Sequence, residues 1–593
     1  MRRISRRTVM VSAAAAAPLL ALVGEAQGAP SFNDYALKAI SKKWLDATAK
    51  LNPVSATQLG DHRYDDKLDD MSAAGRADRR KVSDALLKAL VKYKRASMSR
   101  ANQVDAAMLE NQLRYDLWTN DTLQSWAWDP LIYNDLAGGA VYSLMAREFA
   151  PAPVRLKAAT ARLEALPTLL AQARANLVLA RVPKVHADTL AKQNPGLVSL
   201  VDEMVLAQAG ALPAAEKARL EAAAAKFKAA VAEHQKWIET TLVPGAKGDF
   251  RLGAALYDAK LAFALNSPLT RAEIKARALA AHKATREAMY ALAAKVLTGK
   301  AGAPEAPAAP SPEQQQAVIK AALDIAAADH PKRDEVVQVA KTALEKATAF
   351  VREKDLITLP EAPVQVILMP EFQRGVAVAY CDPPGPLDKG QKTFYAVSPI
   401  PTDWTETRVE SFLREYNNRA IADISVHEAM PGHYVQLAHS AAYPGTLRSV
   451  LWSGSFVEGW AVYAEEMMAE EGFYGGDPLY RLVRLKTLLR SVTNALLDQA
   501  IHVDGMSRDE AMKLMMEGAF QEEGEASGKW IRASVSSAQL PSYFVGYSEH
   551  KAIRAQAEKA GGFNLKAYHD KVLSFGSPPG RFVRQLMFNE PIA

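Results

Sequence analysis

Among 593 residues there is one cysteine, Cys381. A lone thiol excludes an intrachain disulfide, a C-x-x-C redox pair and a thiolate metal cage, whatever the compartment. Cys381 follows a Val/Ala/Tyr run, where it reads as a packing residue rather than a nucleophile. Excess charge of one sign is also missing. The formal net charge is +6, and Arg2, Arg3, Arg6 and Arg7 against Glu25 supply +3 of it within the first 28 residues. The +3 left for the rest of the chain is too little to argue for nucleic acid or an anionic membrane. No second apolar run is long and uncharged enough to span a bilayer, so a soluble mature protein is expected. Fixed-period repeats are absent too.

What is present divides the chain in three. The N-terminus reads as an export leader over 1–28: Ser5-Arg6-Arg7-Thr8-Val9-Met10-Val11 matches a twin-arginine pattern, an Ala/Leu/Val stretch follows, and Ala26-Gln27-Gly28 places small residues before a cleavage point. The competing readings are an uncleaved amphipathic helix or a start site set too early. Export of this kind implies a periplasmic or secreted protein. From 29 to 350 apolar residues recur at helical spacing, clearest in 84–94, 153–180, 214–240 and 271–298, with a loop at 300–313 marked by four prolines. The third region, 351–593, opens on three short runs rich in β-branched and aromatic residues, 364–368, 376–380 and 393–397. They predict a small antiparallel sheet within 361–400, set into an otherwise helical protein. With 49% hydrophobic residues the chain can bury a large core.

The chemistry concentrates just after that sheet. His427-Glu428-Ala429-Met430-Pro431-Gly432-His433 pairs two imidazoles with a glutamate. In the common H-E-x-x-H zinc signature, four-residue spacing stacks both histidines on one helix face, and the glutamate acts on a water. Six-residue spacing on a regular helix instead leaves the two side chains about 120° apart. Pro431 and Gly432 should break the helix and let His433 swing back. A core histidine, a helix-end histidine and chance are the bland alternatives. Glu458, flanked by Phe456, Val457, Gly459 and Trp460, is a carboxylate that needs a buried partner and so a candidate third ligand. Glu465, seven residues on, either supports the site or is a solvated helix charge. Asp423 is the better candidate to orient His427. His439 and His62 are not counted among the ligands.

The runs His-Glu-Ala-Met-Pro-Gly-His-Tyr-Val-Gln from 427 and Glu-Gly-Trp-Ala-Val-Tyr-Ala-Glu from 458 resemble a bacterial family known as domain of unknown function 885, related to the zincin-like metallopeptidases. Segments 52–65, 497–502 and 563–570 resemble it as well. This likeness implies a mostly helical, gluzincin-type zincin with one Zn2+ on His427, His433 and Glu458, and Glu428 as base. Phe456-Val457-Glu458 is also similar to thimet oligopeptidase and its relatives, in which a Tyr-rich segment stabilises the oxyanion. On that likeness Tyr543, or less favourably Tyr547, takes this role. The chain departs from the 885 pattern at Lys529, Ala533 and Ser537, and at Asn494 where a second arginine is usual after Arg490; substrate-end recognition is therefore open.

The expected activity is cleavage of short peptides by a zinc-activated water, with Glu428 moving the proton. His502 is either a further donor in the cleft or a structural histidine. Arg490 and Arg532 either hold a substrate carboxylate or form structural ion pairs. Two other readings stay open: a zincin fold that binds metal or peptide without cleaving, and an amide hydrolase acting on a non-peptide substrate.

Overall fold

A computed structural model describes residues 30–369 and 378–592, so the leader lies outside the described residues. The chain is mostly helical. α1 (Leu131–Met145), α2 (Ala152–Asn176) and α3 (Ala214–Trp237) pack around Leu144, Leu156, Leu166 and Phe227, and α2 and α3 follow helical spacing where it is clearest. The 84–94 segment is the tail of a longer helix, Ala73–Leu90, followed by a turn. α4 (Arg271–Leu297) leads into the proline-rich loop, and the last proline of that loop starts the next helix. Pro312 opens α5 (Pro312–Ala327), where its missing N–H costs nothing, while Ser311 and Gln314 cap each other's backbone. α6 (Val336–Glu353) completes this half.

The sheet is small and mixed, not antiparallel as expected. β1 (Gln365–Leu368) runs parallel to β3 (Phe394–Val397), and β2 (Ala379–Asp382) pairs antiparallel with the other side of β3, giving the order β1-β3-β2. Alternation of side chains predicts strands but not which edges they share; here the third strand in sequence inserts between the first two. Val376 and Ala377 of the expected second strand lie outside the described residues, and that strand extends instead to Asp382.

Five helices carry the site: α7 (Asn418–Glu428), α8 (His433–Ala441), α9 (Gly454–Glu470), α10 (Pro478–His502) and, after α11 (Glu523–Val535), α12 (Pro541–Lys559). Asn417 caps α7 by accepting from Arg419 and Ala420, Ser453 caps α9, and Asp477 followed by Pro478 starts α10. α7 and α9 lie in one core with α6 and the sheet, built on Val351, Tyr395, Val426, Trp460 and Tyr463. A second core joins Tyr257, Leu261 and Ile274 to Val462, Val492 and Val545, so the two halves of the chain share buried surface. Among the described residues, no helix is long and apolar enough to cross a membrane.

Candidate metal centre

α7 ends at Glu428 and α8 begins at His433. The four residues between turn the chain sharply, with the Met430–Pro431 peptide cis. Gly432 makes this turn possible: its N–H donates to Val426 O at 2.9 Å, and a Cβ there would lie 1.9 Å from His427 O. Only glycine permits so close an approach. Indole N–H of Trp460 donates to Pro431 O at 2.9 Å and ties the turn to α9.

The turn brings both imidazoles to one carboxylate. His427 Nε2 lies 3.6 Å and His433 Nε2 3.5 Å from the same oxygen, Oε2 of Glu458. These three form the one group of His, Cys, Asp or Glu among the described residues close enough to share a metal ion, all ligand atoms falling within 4.8 Å of one another. Donors on a tetrahedral zinc stand about 3.3 Å apart, for bonds of about 2.0–2.1 Å. Glu458 Oε2 is buried and has no hydrogen-bond partner. A buried carboxylate oxygen facing two imidazoles just beyond hydrogen-bond range suits a divalent cation. Burial would raise the Glu458 carboxyl, but the two histidines outweigh it and hold it far below the ordinary range. The donor set fits the ion. The three side chains are 11–19% exposed, so the site opens to one side.

Behind His427 stands Glu465, not Asp423. Its Oε1 meets His427 Nδ1 at 2.5 Å, fixing the ring so that Nε2 faces Glu458. Glu465 is 1% exposed, and its other oxygen lies 3.3 Å from Nη1 of Arg484, itself 2% exposed. Asp423, expected to orient the imidazole, accepts from Tyr480 Oη at 3.2 Å. The reversal follows from helix geometry: Asp423 sits one turn back on His427's own helix, and α9 delivers Glu465 from across the interface. Sequence reasoning missed Arg484 and Tyr480. They lie at i and i+4 on α10, and the apolar flanks Leu482, Val483 and Leu485 were the available signal, as they were for Glu458.

Glu428 faces the sheet edge. Cys381 N–H on β2 donates to Glu428 Oε2 at 2.9 Å, and burial raises the carboxyl above its ordinary range. Cys381 itself is pushed well above the ordinary thiol range, first by burial and then by Glu428, so it is no thiolate at neutral pH.

Tyr543 reaches the site and Tyr547 does not. α12 crosses α9 at two glycines, where a Cβ on Gly546 would lie 1.7 Å from Ser455 O and one on Gly459 would lie 2.2 Å from Gly546 C. This contact sets the Tyr543 ring against His427, centroids 6.5 Å apart. Arg532 Nη2 donates to Tyr543 Oη at 3.0 Å. Tyr547, one turn further along, is held against Glu466 instead. His502 is buried elsewhere: its Nε2 donates to Ala533 O at 2.9 Å and Ser536 O at 2.8 Å, supplying a donor to carbonyls at the end of α11. That is a structural role. Arg490 contacts Glu525 Oε1 at 2.5 Å. His439 meets Thr358 O, and His62 lies between Asp65 and Asp388, far along the chain from the triad.

The family described as "Bacterial protein of unknown function (DUF885)" matches residues 53–587. A solved structure of a provisionally named lipoprotein of unknown function from Shewanella oneidensis is 33% identical, with 93% of this chain and 99% of that one covered and a TM-score of 0.77. A second, a provisionally named lipoprotein from Colwellia psychrerythraea, is 18% identical over the same shares with a TM-score of 0.74, a likeness of fold. No curated protein matches the chain.

Proposed function

The chain belongs to the DUF885 family of bacterial proteins of unknown function, and from the site it carries we propose that it is a zinc-dependent peptidase of gluzincin type. The observation that carries this reading is the convergence of His427, His433 and Glu458 with a glutamate, Glu428, next to the first ligand in sequence. A protein that only stored metal would not need that fourth group.

His427, His433 and Glu458 would hold the ion. When bound, zinc supplies Lewis acidity, making water acidic enough to lose a proton near neutral pH. Glu428, fixed by Cys381 N–H through Oε2, takes that proton on its other oxygen and returns it to the departing amine. Its raised pKa brings it closer to the working pH of such a shuttle. Because Arg532 donates into Tyr543 Oη, the phenol's own proton is free to point at a carbonyl oxygen gaining charge. Glu465 and Arg484 hold the first imidazole in register. The twin-arginine leader at 1–28, together with the lipoprotein names of the two solved relatives, supports export to the periplasm or beyond.

A peptide-library digest read by mass spectrometry tests the proposal, with metal content measured in parallel. Cleavage should require about one zinc per chain and vanish in Glu428→Gln while the zinc stays. Equal cleavage by that variant removes Glu428 from its role. Cleavage of amide or ester panels but of no peptide would make the protein a different hydrolase; zinc binding with no turnover of any panel would make it a binding protein.

A further inference from the structure

One charged cluster enters the proposed chemistry only through Arg532. On α11, Glu525, Lys529 and Arg532 follow each other by four and three residues and so share one helix face. Arg490 of α10 joins them. Glu525 is the shared counter-charge: it lies 2.5 Å from Arg490, 3.6 Å from Lys529 Nζ, and accepts from Tyr416 Oη at 2.5 Å. Glu415, the next carboxylate, is already engaged by Lys486 at 2.7 Å and by the Glu522 N–H. Three cations therefore share the Glu525 carboxylate, with Glu415 adding to the field at Arg490 and Glu458 to that at Arg532.

Lys529 is the group that this imbalance leaves exposed to cost. It is 5% accessible to solvent, and its ammonium stands 3.6 Å from the Glu525 oxygen. A buried ammonium held at this distance from its counter-charge is only partly compensated, and two neighbouring guanidiniums add to the expense. A further anion would relieve it, and the two guanidiniums beside it can share in holding that anion. The cluster also touches the metal centre: Arg532 donates to Tyr543 Oη, and both groups feel the charge of Glu458.

Resting on the peptidase reading, we propose that Arg490, Lys529 and Arg532 form a carboxylate subsite beside the metal centre, which receives the free C-terminal carboxylate of a short peptide. Because Arg532 already contacts the tyrosine assigned to the carbonyl oxygen, a carboxylate held there lies close to the cleaved bond. The enzyme then removes small pieces from C-terminal ends. Lys529 is the most deeply buried of the three cations. Burial and the Arg490 charge lower its pKa to about 7, in keeping with a site short of negative charge.

Calorimetric binding to the Glu428→Gln chain tests this without turnover. The probes are N-acetyl-trialanine as the free acid, the same peptide as its C-terminal amide, and an amidated analogue ending in aspartate. The acid should bind about tenfold or more tightly than the amide. Lys529→Gln and Arg532→Gln should each bring the two forms within about twofold, and Lys529→Arg should keep the preference, showing that charge and not folding is read. Equal binding of acid and amide, no binding of either at millimolar concentration, or a preference that survives both glutamine variants overturns the subsite. Restoration of full affinity by the aspartate side chain overturns the terminal assignment. If the parent chain cleaves no peptide yet the acid preference holds, the peptidase reading fails and this one stands.

Discussion

Replacing Lys529 by methionine should stabilise the protein at low pH and cease to do so at high pH. The lysine is held at a pKa of about 7 instead of 10.5, by burial first and then by the Arg490 charge, with Glu525 opposing and Arg532 adding. One pKa unit corresponds to 1.36 kcal/mol, so the gap amounts to at most about 5 kcal/mol against folding. Below pH 7 the folded and unfolded chains both carry the proton, and this cost is fully present. Between pH 7 and 10.5 the folded chain has released the proton and the unfolded chain keeps it, so stability rises with pH. Methionine has similar length, carries no charge, and leaves Glu525 its contacts with Arg490 and Tyr416. Urea unfolding of the two proteins at pH 6, 8 and 10 should show the variant ahead by a few kcal/mol at pH 6, with the lead shrinking steadily as pH rises. A methionine variant that is less stable at pH 6, or a gap constant across the range, would mean that the ammonium is well solvated or well paired, and the charge-deficit argument would fall.

Glu465→Gln weakens the grip on His427 and strips Arg484 of a buried counter-charge, so zinc affinity, read by chelator competition, should drop about 10–100-fold, and the fold should lose about 3–5 kcal/mol. Parent-like affinity would show that Glu465 does not orient the ligand. Gly432→Ala forces a methyl onto His427 O, 1.9 Å away, and should abolish zinc binding in whatever soluble protein remains; a zinc-replete alanine variant would refute the need for the close turn. Tyr543→Phe removes one donor to the oxyanion and should lower kcat about 10²–10³-fold with KM little changed. A loss confined to KM would make Tyr543 a binding residue instead.

How far the sequence reaches is clearest at the residues where it stopped. Helical spacing locates α2, α3 and α4 to within a few residues, because a helix is a local object and its apolar stripe is written in consecutive positions. The three converging side chains were legible for a related reason: His427, His433 and Glu458 each violate the local pattern, polar groups set among residues that bury. Strand pairing and support roles are not local. That β3 lies between β1 and β2 depends on how the 383–393 connection returns β3 to the sheet, and nothing in three alternating runs of similar length encodes it. Asp423 looked better placed than Glu465 because sequence distance favours the nearer carboxylate; the fold favours the one that the neighbouring helix faces toward the ring. His502 shows the converse error, a polar residue near a motif that serves a helix end rather than the cleft. Arg490 and Arg532 could be named from sequence as candidate carboxylate holders, but lying with Lys529 on two helices they do not announce that they meet. Only their assembly around Glu525 shows that positive charge outnumbers negative at that place, and a charge imbalance is a property of a volume, which a linear reading cannot total.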